Sequence, residues 1–157
     1  MANGKFVISL DFELYWGVRD AVKLQDYKAQ LRGVRKVIPL LLQLFKKYGI
    51  NATFATVGFL FFKNKEELLS QLPCKKPAYQ NDKLSPYLNW LDLQGTHEEE
   101  DPFHFAPELI DQIVESGQEI GSHTFSHYYC LEKGQTLETF KADLEAAKQI
   151  ASKKELN

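Results

Sequence analysis

Short apolar runs and longer helical patterns alternate along the chain. Residues 6–10 are apolar at nearly every position, which predicts a strand buried on both faces of a parallel sheet. Residues 51–57 and 118–122 predict a second and a third strand. Apolar residues recur at intervals of three and four over residues 26–48 and 107–115, so helices are predicted between the strands.

Three further features complete the predicted helices. Pro39 lies inside the first long pattern and should kink that helix or begin a second segment. Residues 59–62 and 68–69 predict one short helix with a strongly apolar face. Residues 136–153 predict a final helix, because Thr136 is a favourable N-cap and apolar positions recur behind it. The predicted apolar stripe of this helix is Phe140, Leu144, Ala147 and Ala151.

The segment of residues 73–107 differs from the rest of the chain. It is rich in proline and predicts an irregular insertion with one short helix near residues 86–93. Loops of this length usually cover a functional site or extend from the fold. The acidic run at residues 98–101 predicts a solvated surface, and His97 and His104 are predicted to be surface residues rather than ligands.

The order of these elements predicts an α/β fold in which parallel strands alternate with helices. The 157 residues suffice for a single domain with a core. No strand pattern follows the last helix, so residues 1–157 are predicted to form a C-terminally incomplete domain. The unfinished sheet would then favour self-association or a C-terminal partner.

Composition excludes several classes of function. The net charge of −2 argues against a dedicated binder of nucleic acid or anionic membranes, which normally carries a basic excess. No apolar run reaches the ~20 residues that a membrane span needs. The N-terminal residues show no signal-peptide pattern, and the two cysteines, Cys74 and Cys130, form no CxxC pair. These features favour a cytoplasmic location.

The residues best suited to chemistry follow the first and third predicted strands. Asp11 and Glu13 stand two apart, and an extended chain points two such side chains the same way. His123 and His127 stand four apart, a spacing that places both rings on one side of a helical turn. Because parallel strands end at the same edge of a sheet, the two pairs are predicted to converge.

Either pair alone is more readily explained as a structural feature, whereas together they favour a metal site. Two imidazoles and one carboxylate form the ligand set of catalytic zinc centres, and cobalt, nickel or iron accept the same ligands. The second carboxylate would take a proton from an attacking water, and the residues alone leave open which role Asp11 and Glu13 each have. Cys130 is an alternative third ligand, although residues 128–130 read equally well as an apolar anchor.

Three stretches of the sequence together resemble a known family. Residues 6–13 (FVISLDFE), 51–58 (NATFATVG) and 119–127 (EIGSHTFSH) are similar to motifs of polysaccharide deacetylases of the NodB-homology type, carbohydrate esterase family 4. The histidine stretch is the most specific of the three. The resemblance covers most of the chain except the insertion at residues 73–107.

The resemblance implies hydrolysis of N-acetyl groups from a sugar or a cell-surface polysaccharide. Asp11 would be the general base, and His123 and His127 would bind a divalent metal. The family usually has adjacent aspartates, whereas Phe12 occupies the second position here, so the metal-ligand role passes to Glu13. The implied fold is a distorted (β/α) barrel, of which this chain supplies the N-terminal part.

Two alternatives to an active, metal-dependent enzyme remain open. The family's later motifs, which include a histidine general acid, have no counterpart in the chain, so it would be an incomplete deacetylase that needs a partner chain. Otherwise it would be a metal-independent amidase of a cyclic ureide or imide, in which Glu13 is no ligand. Aromatic residues near the motifs are candidates for stacking on a sugar, although such residues more often belong to a core. These candidates are Tyr15, Trp16, Trp90 and Phe125.

Overall fold

A parallel sheet of three short strands organises the protein. The computed structural model describes residues 4–88 and 95–156. The strands are β1 (Ser9–Phe12), β2 (Thr53–Thr56) and β3 (Glu119–Ser122), in the spatial order β1-β2-β3. Both strand pairs are parallel, which confirms the predicted α/β arrangement within the described residues. Those residues form three strands, and the barrel stays a prediction.

The first strand begins later than predicted. Pairing with β2 starts at Ser9, and Phe6 and Val7 are 91% and 77% exposed. The predicted bounds of this strand are therefore wrong at the beginning, and the prediction that it is buried on both faces is wrong, because none of residues 6–10 is buried. The pairing register explains this difference. β2 begins at Thr53, whose N–H donates to the carbonyl of Ile8, so β2 offers no partner to the residues before Ile8.

The described residues also form four α-helices, and single turns of 3-10 helix follow the first two strands. The α-helices are α1 (Leu24–Tyr48), α2 (Lys65–Ser70), α3 (Pro107–Glu115) and α4 (Leu137–Lys153). The 3-10 turns comprise Leu14–Gly17 and Gly58–Phe61, and another lies at Asp82–Leu84. In the described part of the chain, no helix combines the length and apolar character needed to cross a membrane.

Helix α1 runs without interruption through Pro39, so the predicted second segment does not form. Proline removes one backbone hydrogen bond, but Ile38 and Leu42 on the same face of the helix are buried and hold it together. The helix ends at Gly49, whose φ of +63° is a conformation that glycine adopts without strain. The buried side chains of α1 are Leu31, Ile38, Leu42 and Phe45.

The apolar residues after β2 form two elements instead of the one short helix that was predicted. The 3-10 turn ends at Phe61, and α2 begins only at Lys65. Asn64 separates them because its side chain accepts a hydrogen bond of 2.8 Å from the backbone N–H of Glu67 and so caps α2.

Helix α4 confirms the predicted bounds, but its buried face differs from the predicted stripe. Thr136 caps it through a reciprocal pair of hydrogen bonds with Thr139. Phe140, Leu144 and Ala151 are only partly buried. The buried face consists instead of Asp143, Ala146, Ala147 and Ile150.

The insertion is packed more deeply than predicted. His104 is 3% exposed and its Nδ1 lies 2.8 Å from the carboxylate of the buried Asp101. Glu98 is buried against Arg35 of α1 at 2.6 Å. The prediction of a solvated acidic run is therefore wrong for Glu98 and Asp101, which have oppositely charged partners, and right for Glu99 and Glu100, which are exposed. The prediction of a surface His104 is also wrong. His97 is exposed, as predicted; most of the helix predicted near residues 86–93, with Trp90, lies outside the described residues.

Candidate metal centre

Three side chains from the two predicted motifs meet at the carboxyl end of the sheet. Oε2 of Glu13 lies 3.2 Å from Nε2 of His123 and 3.2 Å from Nε2 of His127. All three side chains are partly buried, with between 19% and 31% of each exposed. The two distant motifs therefore converge as the parallel topology predicts.

Glu13 reaches the histidines because the backbone turns sharply after β1. The 3-10 turn Leu14–Gly17 follows it directly, and Leu14 has a φ of +46°. A Cβ atom at Gly17 would lie 1.9 Å from the Glu13 carboxyl carbon. The absence of a side chain at Gly17 thus leaves the space that the Glu13 carboxylate occupies.

The two histidines lie on a tight loop that leaves β3. The N–H of His123 donates to the carbonyl of Thr56, which continues the pairing with β2 past the end of the strand. Thr124 and His127 have φ values of +64° and +54°. These two left-handed residues fold the loop back so that the imidazole centroids lie 5.2 Å apart.

The charge distribution favours a carboxylate between the rings. The pKa of Glu13 is lowered, chiefly by its hydrogen bond with His127, while partial burial opposes this effect. Electrostatic interaction with His127, His123 and Arg19 lowers this pKa further. Glu13 is consequently held in the ionised form that binds a cation.

The spacing of the three ligand atoms fits one divalent cation. They all lie within 4.8 Å of one another. Tetrahedral coordination with bonds of about 2.1 Å places ligand atoms roughly 3.4 Å apart, close to the 3.2 Å between Glu13 and each ring. Cys130 is exposed and belongs to no such group in the described residues.

Asp11 is held apart from this group. It lies within β1 opposite Ala55, its side chain is 62% exposed, and its Oδ1 is 3.9 Å from Nδ1 of His123. The structure thus separates the two acids that the sequence left interchangeable: Glu13 faces both imidazole Nε2 atoms, and Asp11 stands beside the opposite nitrogen of one ring.

A family model for polysaccharide deacetylase matches residues 26–155. The chain belongs to the polysaccharide deacetylase family. This match confirms the resemblance drawn from the three sequence stretches, and it supports a hydrolase of the deacetylase type. It includes His123 and His127, whereas Asp11 and Glu13 precede it. No curated protein and no solved structure matches the chain.

Two aromatic residues expected to contact substrate in this polysaccharide deacetylase domain are buried instead. Tyr15 and Trp16 are 1% and 0% exposed, and the indole N–H of Trp16 donates to the carbonyl of His104. Neither ring offers a face to a sugar, so the expectation of substrate contact is corrected. Phe125 is buried as well.

Sequence reasoning missed two buried charged residues around the candidate site. Arg19 donates to the carbonyls of Trp16 and Leu84, and its guanidinium lies 5.5 Å from the centre of the Tyr129 ring. Asp143 of α4 accepts hydrogen bonds from the histidine loop. Only Asp143 left a signal in the sequence, as an acid on a helix face that is otherwise apolar.

Proposed function

We propose that this chain is a metal-dependent hydrolase that removes N-acetyl groups from a sugar or a cell-surface polysaccharide. The observation that carries the proposal is the position of the Glu13 carboxylate, 3.2 Å from Nε2 of both His123 and His127. Membership of the polysaccharide deacetylase family supplies the class of reaction and the class of substrate.

Glu13, His123 and His127 would hold the cation in this proposal. Zinc is the metal we expect, and cobalt, nickel and iron suit the same ligands. Such a cation, when bound, lowers the pKa of a water molecule and polarises a carbonyl group. The anchored Glu13 carboxylate supplies the negative charge that retains a divalent ion between two neutral imidazoles.

Asp11 is proposed as the general base. Its exposed carboxylate stands beside the ligand group and is free to approach a substrate. It accepts a proton from the attacking water as the new C–O bond forms at the amide carbon. The proton passes to the amine nitrogen as the C–N bond breaks, so acetate and a free amine are released.

The test is acetate release from N-acetylglucosamine oligomers, measured after chelation and after zinc or cobalt is restored. Release should require the metal. Asp11→Asn should lower kcat by roughly 10²- to 10⁴-fold, because proton transfer is lost, while metal content is unchanged. Asp26→Asn, a change at another exposed aspartate in the first turn of α1, is the matched control and should retain full activity.

Different failures have different meanings. Equal acetate release with and without metal would contradict metal dependence. Metal binding without acetate release from any acetylated glycan would contradict activity of this chain alone. That second result would favour the alternative in which the protein needs a partner chain.

A further inference from the structure

Asp143 is a buried carboxylate on α4 that contacts the loop between the two candidate metal-binding histidines. It is 1% exposed. One carboxylate oxygen accepts a hydrogen bond of 2.7 Å from the backbone N–H of Phe125, and the other accepts one from the hydroxyl of Ser126. Phe125 and Ser126 lie between His123 and His127, so Asp143 holds the centre of the segment that carries both rings.

This loop has an unfavourable backbone conformation that its surroundings must fix. Thr124 and His127 both have positive φ values, although neither is a glycine. Residues with side chains adopt that conformation at a cost and keep it only where neighbouring contacts determine it. The direction of both imidazoles depends on this backbone.

Backbone hydrogen bonds also hold the opposite side of the loop, where the Phe125 ring packs against Phe59 and Phe62. The N–H of Gly58 donates to the carbonyl of Thr124, and the N–H of Phe59 donates to the carbonyl of Phe125, both at 3.0 Å. A Cβ atom at Gly58 would lie 2.8 Å from the Cα of Phe125. The loop is therefore clamped between this 3-10 turn and the Asp143 carboxylate.

A carboxylate is a costly residue to bury, and an apolar residue would pack this face of α4 without that cost. Burial raises the pKa of Asp143, and the two loop donors oppose this effect. Both of its oxygens are engaged by the loop, and by no other part of the described chain. The two hydrogen bonds that offset the free-energy cost of burying Asp143 are therefore the same contacts that orient the loop.

We propose that Asp143 is a positioning residue that fixes the His123–His127 loop, so that both Nε2 atoms face Glu13. The proposal rests on the proposed function, because it assigns Asp143 to the same metal centre. It acts through the backbone of Phe125 and the hydroxyl of Ser126 and touches neither imidazole in the described contacts.

The experiment compares Asp143→Ala, Asp143→Asn and Ser126→Ala with the wild type. Cobalt affinity, followed by the visible spectrum of the bound ion, should fall about tenfold or more in Asp143→Ala. Asp143→Asn should lose less, because its amide oxygen still accepts the Phe125 N–H. Ser126→Ala should also lose less, since one of the two hydrogen bonds remains.

Ile150→Ala is the matched control for loss of stability. Ile150 lies on the same buried face of α4 two turns later and makes no hydrogen bond to the loop in the described structure. Both alanine variants should unfold at lower temperature, but cobalt affinity at a temperature where each is folded should fall only in Asp143→Ala. Equal losses in the two variants, or an unchanged affinity in Asp143→Ala, would overturn the proposal.

A measurement without metal separates this proposal from the proposed function. The Phe125 amide should exchange slowly with solvent in the wild type and in Ile150→Ala, and rapidly in Asp143→Ala. Slow exchange in all three proteins overturns the positioning role. If the wild type binds no cobalt, the proposed function fails and the metal-positioning role fails with it, whereas the amide result still shows whether Asp143 fixes the loop.

Discussion

At the scale of single residues, backbone conformation decides where the side chains of the candidate metal ligands point. Gly17 leaves the space that the Glu13 carboxylate fills, since any Cβ there would lie 1.9 Å from its carboxyl carbon. Positive φ values at Thr124 and His127 turn the imidazoles toward the same point. The candidate ligands are thus placed by neighbours that take no part in binding.

Gly17→Ala should weaken metal binding although it leaves all three candidate ligands in place. The added methyl group would displace the Glu13 side chain. We expect cobalt affinity to fall about tenfold or more, which is the usual effect of removing the contacts that orient a metal ligand. Gly33→Ala is the control, because nothing lies within 4 Å of a Cβ at that position in α1. It should leave affinity unchanged and raise stability by roughly 0.5–1 kcal/mol. Calorimetric titration that finds full cobalt affinity in Gly17→Ala would contradict this role of Gly17.

The convergence of the three candidate ligands could be predicted from sequence because their identity and spacing are local properties. Glu13, His123 and His127 follow strand-like runs, and the parallel topology brings them together. Gly17 and Asp143 could not be assigned in the same way, because their roles depend on contacts that only the folded chain creates. Tyr15 was wrongly expected to contact substrate, because the sequence does not show whether an aromatic residue near a motif lines a pocket or belongs to the core.

At the scale of elements, Arg35 joins α1 to the insertion. Its guanidinium donates to the carbonyls of Pro102 and Phe105 and lies 2.6 Å from the carboxylate of Glu98. Burial raises the pKa of Glu98, and the hydrogen bond and charge of Arg35 oppose that effect. The insertion is therefore fastened to the fold next to its buried aromatic residues.

Arg35→Ala should lower the free energy of unfolding by about 2–4 kcal/mol, because it leaves Glu98 and two carbonyls without their donor. Urea unfolding at neutral pH measures this change. Arg32→Ala, on the same helix, removes an exposed side chain whose guanidinium lies 5.5 Å from the centre of the Phe103 ring. That control should cost roughly 1 kcal/mol or less. Equal losses of unfolding free energy in the two variants would contradict the role of Arg35 in fixing the insertion to α1.

Helices were predicted more accurately than strands and loops. The bounds of α1 and α4 follow from periodicity and capping, which are local. The start of β1 depends on where β2 offers a partner, so the exposed Phe6 and Val7 could not be recognised from their own apolar character. Burial of acidic residues in the insertion depends on ion pairs such as that between Asp101 and His104. The sequence alone does not show which acidic residues have such partners.

At the scale of the whole molecule, buried charges make stability depend on pH. Burial tends to raise the pKa of Asp101, but hydrogen bonds from His104 and from the N–H groups of Gly95 and Phe103 outweigh it, and the pKa is lowered from 3.8. The unfolded chain thus binds this proton more readily than the folded one. The contribution of Asp101 is present above about pH 3.8 and is lost as the pH falls through the lower, folded pKa.

Asp101→Asn should therefore reduce stability at pH 7 and flatten the loss of stability on acidification. The measurement is urea unfolding at a series of pH values from 7 to about 3, with the wild type in parallel. Glu99→Gln, at an exposed acid two residues earlier, is the control and should follow the wild type closely. A constant difference between Asp101→Asn and the wild type over the whole pH range would contradict the assigned pKa shift.

In the described structure Glu13 lies beside the two histidines, and crystallography with anomalous scattering tests most directly whether these residues hold a metal ion. Crystals grown with zinc are measured on both sides of the zinc absorption edge. The account predicts one anomalous peak about 2.0–2.2 Å from Oε2 of Glu13 and from Nε2 of His123 and His127. A structure with zinc elsewhere, or with the Glu13 carboxylate turned away from both imidazoles, would contradict it.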